Sequence, residues 1–288
     1  MGTGADGYLT RGTFLLSHGG TLFNARLLEY PNGSVQIRLY SLPVRIGADR
    51  WDDTGEVPPG YEREPFAGRL VRKVDDFDQS LQQVTDSQRA SLSRTRRSIS
   101  ELARSAFWEW FCTFTFSPER ADRSNYEKCC KQMRNWLQNT RSRKAEELQY
   151  LAVPELHKDG LNWHFHVLLA RTGKLKFTDS GKIKAGQRIY NVSGWTLGFS
   201  TATRVRDVYR IQKYIVKYMT KECHLLALGA HRYFASQGLP KPKSSLFLVE
   251  PGQENAWVMS LAESLQMQVT WENTVCGNYM DIRYIELG

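Results

Sequence analysis

Hydrophobic and polar positions alternate along residues 8–46 in short runs. Examples are Thr21-Leu22-Phe23-Asn24-Ala25-Arg26-Leu27 and Ser34-Val35-Gln36-Ile37-Arg38-Leu39-Tyr40. Alternation of this kind marks half-buried strands, and Pro31-Asn32-Gly33 between the runs is a turn signal at hairpin distance. Residues 47–80 lose the pattern and gain Pro, Gly and acidic positions (Pro58-Pro59-Gly60, Asp75-Asp76-Phe77-Asp78), the composition of a linker or long loop. Over 84–106 the spacing predicts a helix, with Leu92, Ile99, Leu102 and Ala103 on one side. Arg89, Arg94, Arg96, Arg97 and Arg104 fall mostly on the other side.

Trp110-Phe111-Cys112-Thr113-Phe114-Thr115-Phe116 is too short and too rich in aromatics and Thr for a helix, and reads as a central strand ended by Ser117-Pro118. Helical spacing returns over 119–142, where Tyr126, Cys129/Cys130, Met133 and Trp136/Leu137 recur; Trp136 is read as core. Two strands follow at 148–155 and 163–170, joined by His157-Lys158-Asp159-Gly160 as a hairpin turn. Residues 171–204 read as a Gly- and Lys-containing loop with some strand, and 205–228 as helix. Beyond Lys241-Pro242-Lys243 only short strand-like runs occur, around Trp257, Trp271 and Tyr284. The order across 110–222 implies an α+β core, an antiparallel sheet with helices on one face. The expected division is a β-rich N-terminal extension and linker (1–80), a core domain (81–240) and a C-terminal extension (241–288) without an assigned role.

Composition narrows the class. With 41% hydrophobic residues, 13 Phe, 13 Tyr and 8 Trp in 288 residues, the chain has ample material for a core and is not a disordered sequence. The net charge of +9 favours a polyanionic partner, since Lys and Arg displace the counterions condensed on nucleic acid. The first thirty residues carry no signal pattern, and no apolar run approaches the ~20 residues of a membrane span, so no membrane association is expected. Five cysteines, an odd number without Cys-x-x-Cys spacing, argue against a disulfide scaffold or a zinc ribbon and for an intracellular, reduced protein.

The candidate chemistry lies in two segments. In Trp163-His164-Phe165-His166-Val167-Leu168-Leu169, residues i and i+2 of a strand share a face, so His164 and His166 project together while Trp163, Phe165 and Val167 face a covered layer. Two imidazoles so placed can hold one divalent metal, or can be two histidines on a wet sheet face. The turn at 157–161 can bring Glu155 beside them, and two imidazoles with a carboxylate leave coordination positions open for substrate oxygens. His157 is a rival ligand, but falls in the turn.

In the helix of residues 205–228, Val208, Ile211, Ile215 and Met219 share a core arc, and Arg210, Lys213, Lys217 and Lys221 fill the opposite one. Tyr214 and Tyr218 stand one turn apart at the border. Such tyrosines suit a nucleophile aimed at a phosphate, with lysines lowering the cost of the phenolate, or are rings that snorkel on an ordinary amphipathic helix. The Arg-rich face at 89–104 likewise reads as a solvated surface or as a DNA-backbone contact.

Three segments in this order resemble the motifs of the HUH endonucleases, and within them the rolling-circle replication initiators (Rep proteins) of plasmids and single-stranded DNA phages. Phe111–Phe116 is similar to the first motif, Trp163–Leu169 to the His-hydrophobe-His motif, and Tyr214–Lys221 to the two-tyrosine motif with a lysine three residues after each tyrosine. Tyrosines that follow the histidines fit Rep proteins and small single-strand transposases, whereas conjugative relaxases reverse the order. The resemblance covers roughly residues 90–240. It implies a Rep/RRM-like nuclease fold in which His164, His166 and Glu155 bind Mg2+ or Mn2+. It implies that Tyr214 attacks to leave a 5′-phosphotyrosine, that Tyr218 performs a second transesterification, and that Lys217 and Lys221 stabilise charge. Which tyrosine acts first is left open by the pattern.

DNA contacts are expected from Arg89, Arg94, Arg96, Arg97, Arg210 and Lys213. The implied partners are single-stranded origin or hairpin DNA, with a host polymerase and, as no Walker-type phosphate loop occurs, a host helicase. The compartment is then cytoplasmic if the chain is prokaryotic or phage-encoded. Two alternatives accompany this reading: a single-strand transposase of the same chemistry, and a non-catalytic protein that holds origin or hairpin DNA. A hydrolase that activates water instead of tyrosine would leave the paired tyrosines without a role.

Overall fold

The computed structural model describes residues 14–15, 21–46, 61–63, 70–72, 77–207, 211, 214–216, 232–276 and 280–288. It is α+β, with every strand pair among the described residues antiparallel and few helices. The chain divides into two compact units, one of residues 83–241 and one that joins residues 1–82 to 242–288.

The central unit is built on a seven-stranded sheet. Its strands are β6 (Trp110–Phe116), β7 (Gln149–Leu156), β8 (Trp163–Ala170), β9 (Phe177–Lys184), β10 (Gln187–Val192), β11 (Gly198–Arg204) and β12 (Phe234–Ala235), in the order β12-β7-β8-β6-β11-β10-β9. Alternation in β6 and β8 sorts their side chains. Phe114, Phe116 and Phe165 are fully buried on one face. Helix α2 (Tyr126–Arg143) covers this face, with Trp136 tilted on Phe114 at 4.7 Å and Tyr126 edge-on to Trp163 at 4.7 Å. Buried aromatic and aliphatic side chains of this size each contribute about 1.5–3 kcal/mol, so this layer fixes the sheet.

α2 begins where the Asn125 side chain accepts a hydrogen bond from the Lys128 amide, a cap of about 1 kcal/mol. Glu127 in its first turn and Arg141 and Arg143 in its last complement the helix dipole. Trp195 completes the layer, edge-on to Phe114 and Phe116 and donating its indole N–H to the Thr115 carbonyl at 3.2 Å. Helix α1 (Phe77–Ser105) sends Ile99 and Ala103 into the same core.

Residues 171–204, read from sequence as a loop with some strand, form β9, β10 and β11. β9 is exposed along nearly its whole length, so it has no apolar alternation for a sequence pattern to register. The stretch read as a linker contains a short hairpin, β4 (Tyr61–Arg63) with β5 (Leu70–Arg72).

The second unit unites the chain's two ends. β2 (Thr21–Glu29) pairs β3 (Val35–Ile46), as the Pro31-Asn32-Gly33 turn leads one to expect. From the far end of the chain, β13 (Lys243–Phe247) adds to β2 and β15 (Ile282–Leu287) to β3, while β14 (Val269–Val275) pairs β15. The helix Glu254–Ser264 places Trp257, Val258 and Leu261 in a core with Ile37 and Ile285. A buried polar network crosses the sheet: Gln36 donates to Glu286 at 2.7 Å, and the Asn24 amide donates to the Val249 carbonyl at 2.7 Å.

Candidate metal centre

The hairpin between β7 and β8 sets the site's register. Asp159 accepts from the amides of Leu161 and Asn162 at 2.9 and 3.0 Å and from the Asn162 side chain at 2.6 Å. These bonds hold its carboxyl well below the usual carboxylate range, the Asn162 side-chain bond foremost. Gly160 takes φ +72, a left-handed turn position that glycine enters without steric cost. With the turn pinned, Glu155 lies opposite His164, and Thr113 of β6 lies opposite His166 on the other side of β8. Pro154 is accommodated because β12 pairs β7 only at Leu151 and Ala152, short of the proline.

The three sequence-selected donors converge. Oε2 of Glu155 is 2.6 Å from Nε2 of both His164 and His166, and the two Nε2 atoms are 3.1 Å apart. Burial alone would raise the Glu155 carboxyl, but the hydrogen bonds to the two imidazoles outweigh it and bring it down to about 2. His166 is buried, which lowers its value and favours the neutral ring that a metal needs. Its Nδ1 lies 3.1 Å from the Thr113 hydroxyl. When Nδ1–H is donated there, Nε2 gives up its hydrogen bond to Glu155 and its lone pair is free to ligate a cation beside the carboxylate. Two imidazoles and one carboxylate on the side of the sheet away from α2 are a donor set for a divalent metal with positions left for substrate. His157 is exposed, pairs with Asp159 at 3.2 Å and stays outside the group.

Phe111, two residues before Thr113 on the same face, stacks on His166 at 5.6 Å with an interplanar angle of 12°. Its ring also meets Tyr214 edge-on at 5.0 Å. Tyr214 lies on a helical segment whose next residue, Ile215, is fully buried, while Tyr214 itself is 45% exposed. Tyr214 thus stands partly exposed beside a buried position, and one aromatic ring, Phe111, connects it to His166. Neither Thr113 nor Phe111 was singled out by sequence reasoning as a site residue. Their signal was the alternation of β6, which puts both on the face of His166.

Of the remaining candidates, Tyr218, Lys217, Lys221, Arg210 and Lys213 lie outside the described residues, as does the side chain of Arg89. Arg94 is exposed and Arg96 and Arg97 are half-buried on α1. Arg104, expected on the polar side of that helix, is buried at 3% exposure, in the last turn, where the chain turns inward to bury Ala106 and Trp108.

An antiparallel sheet with a Glu/His/His group and a neighbouring tyrosine defines a candidate metal-dependent site on an α+β fold. Residues 109–223, which contain all four of these side chains, match the family described as replication-associated protein ORF2/G2P. No curated protein and no solved structure gives a significant match. Among the described residues no helix is long and apolar enough to cross a membrane.

Proposed function

We propose that the protein is a replication initiator of the HUH type, which nicks and rejoins single-stranded DNA at an origin sequence or hairpin to begin rolling-circle replication. The observation that carries the reading is the convergence of Glu155, His164 and His166 with Tyr214 held beside them across Phe111. The match to a replication-associated family over the same residues supports it.

Glu155, His164 and His166 would hold Mg2+ or Mn2+, which when bound draws charge from the scissile phosphate. The Tyr214 oxygen attacks phosphorus, and its proton passes to solvent. The bond from phosphorus to the 3′ oxygen breaks, and that oxygen leaves with the electron pair and takes up a proton. The products are a 5′-phosphotyrosine on the protein and a free 3′-OH for a polymerase. The phosphoester is exchanged rather than hydrolysed, so rejoining needs no ATP. Tyr218 is assigned the second transesterification, and Lys217 and Lys221 the developing charge. Arg94, Arg96 and Arg97, together with Arg89, Arg210 and Lys213, are assigned to the DNA backbone, and unwinding to a separate host helicase.

The test is to incubate the protein and Mn2+ with single-stranded oligonucleotides tiling the DNA that flanks the gene, then run a denaturing gel. A covalent adduct lost in Tyr214→Phe plus Tyr218→Phe supports the proposal. An undiminished adduct in the double variant refutes the tyrosine assignment, and free 5′-phosphate ends without an adduct would mean water is the nucleophile.

A further inference from the structure

The sheet face that carries the metal donors continues onto three strands that the chemistry above leaves unused. Register traces it: His166 lies opposite Thr113 and Thr113 opposite Thr201, while His164 lies opposite Thr115 and Thr115 opposite Phe199. At the far edge Gln187 pairs Lys184 and Ile189 pairs Lys182, which by alternation shares a face with Lys184. Thr113, Lys184, Gln187, Ile189 and Thr201 line one cleft of about 770 Å3 together with Tyr214. Arg206 and Asp207 are also in its wall. From β8 to β9 are four strand spacings, about 19 Å, which is room for a few nucleotides.

Phe199 is the informative residue on this face. It is the second residue of β11 and paired to Thr115, yet is 75% exposed, flanked on its own face by the side chains of Thr115 and Thr201. An aromatic ring standing in water on a polar, hydroxyl-lined sheet, with exposed lysines one strand pair further out, has the chemistry of a base-stacking platform beside a phosphate track. A hydrophobic partner would leave the lysines and the threonine hydroxyls unused, and an acidic peptide would leave the ring unused.

We infer that this outer half of the sheet, from Phe199 to Lys182 and Lys184, is a docking surface for single-stranded DNA flanking the scissile phosphate. A base stacks on Phe199, and the lysines of the β9–β10 hairpin hold backbone phosphates. The inference rests on the nuclease reading for its choice of DNA, but its residues are separate from the metal donors and the tyrosines.

The experiment is fluorescence anisotropy of the full chain with a fluorescein-labelled oligothymidylate of about 12 nucleotides, in EDTA so that no cleavage occurs. Phe199→Ala is expected to weaken binding about tenfold or more, the loss of one stacked base. Lys182→Gln plus Lys184→Gln is expected to flatten the slope of log affinity against log salt by about 1.4, for two phosphate contacts on a single strand. All three side chains are exposed, and an unchanged thermal melt confirms an intact fold for each variant. Affinity within twofold of wild type in both variants overturns the inference, as does tighter binding of the matching duplex or of oligouridylate. Adduct formation, measured in parallel with Mn2+, separates the two proposals: an adduct with unaltered Phe199→Ala binding sinks the surface alone. Weakened binding without any adduct in the wild type leaves the surface standing and sinks the nuclease reading.

Discussion

Replacing Thr113 with valine removes one oxygen and keeps a β-branched side chain suited to the strand. The oxygen lies 3.1 Å from Nδ1 of His166, the ring nitrogen that faces away from the donor cluster. Without it the buried imidazole loses the partner that holds its proton on Nδ1, and with it the bias that keeps Nε2 free for a cation. Loss of such an outer partner costs about 10- to 100-fold in metal affinity. In free energy that is about 1.4–2.8 kcal/mol. Global stability should fall by only about 1 kcal/mol, the net worth of one hydrogen bond. The assay is calorimetric titration of chelator-treated protein with MnCl2, alongside urea unfolding. Thr113→Ser retains the hydroxyl and is expected to bind Mn2+ as wild type does, while His166→Ala abolishes binding. Binding of Mn2+ to Thr113→Val within twofold of wild type, or binding to Thr113→Ser as weak as to Thr113→Val, would remove Thr113 from this role.

Two further predictions follow from the same sheet. A methyl group at Gly198 would stand 2.2 Å from the Thr115 carbonyl oxygen and 2.5 Å from the Ser117 amide. Because these are backbone atoms, Gly198→Ala must push β11 off β6 and should cost about 1–3 kcal/mol in urea unfolding, with a wild-type midpoint as the contrary result. In metal-free protein, Glu155 at about 2 against an ordinary 4.5 means that the unfolded chain binds more protons between those values. Its contribution is therefore complete above about 4.5 and is lost as pH falls toward 2. His166, also lowered, acts with the same sign from its ordinary 6.5 downward. The stability difference between wild type and Glu155→Gln, measured by urea melts across pH, should shrink below 4.5; a pH-independent difference would remove the carboxylate from the account.

The candidate site was legible because its determinants are local. His164 and His166 are fixed by strand alternation, and Glu155 by a turn whose Asp159 and Gly160 are in the sequence. Tyr214 is placed by helical periodicity across a single border. Thr113 and Phe111 were less so, since their roles depend on which strand lies beside β8, and pairing order is not written in any one segment. The hairpin of β9 and β10 escaped because exposed strands carry no burial period, and Trp195 escaped because its burial depends on Phe114 and Phe116, far away in sequence. The role of the C-terminal tail was invisible for the same reason. Its strands pair with β2 and β3, from which nearly the whole chain separates them.

That long-range pairing has a consequence for how the protein is made. The β2–β3 hairpin leaves the ribosome more than two hundred residues before its neighbour β15. Gln36 and Glu286, which bond across these strands, are 250 residues apart. The usual vectorial order, in which the N-terminal unit folds first, is thereby reversed. The central unit, whose core among the described residues is made of its own side chains, can complete while β3 still offers a bare edge. A nascent chain is thus exposed to edge-to-edge association until β15 emerges, and a stop between residues 242 and 281 would release a polypeptide with its metal donors in place and an unsealed sheet.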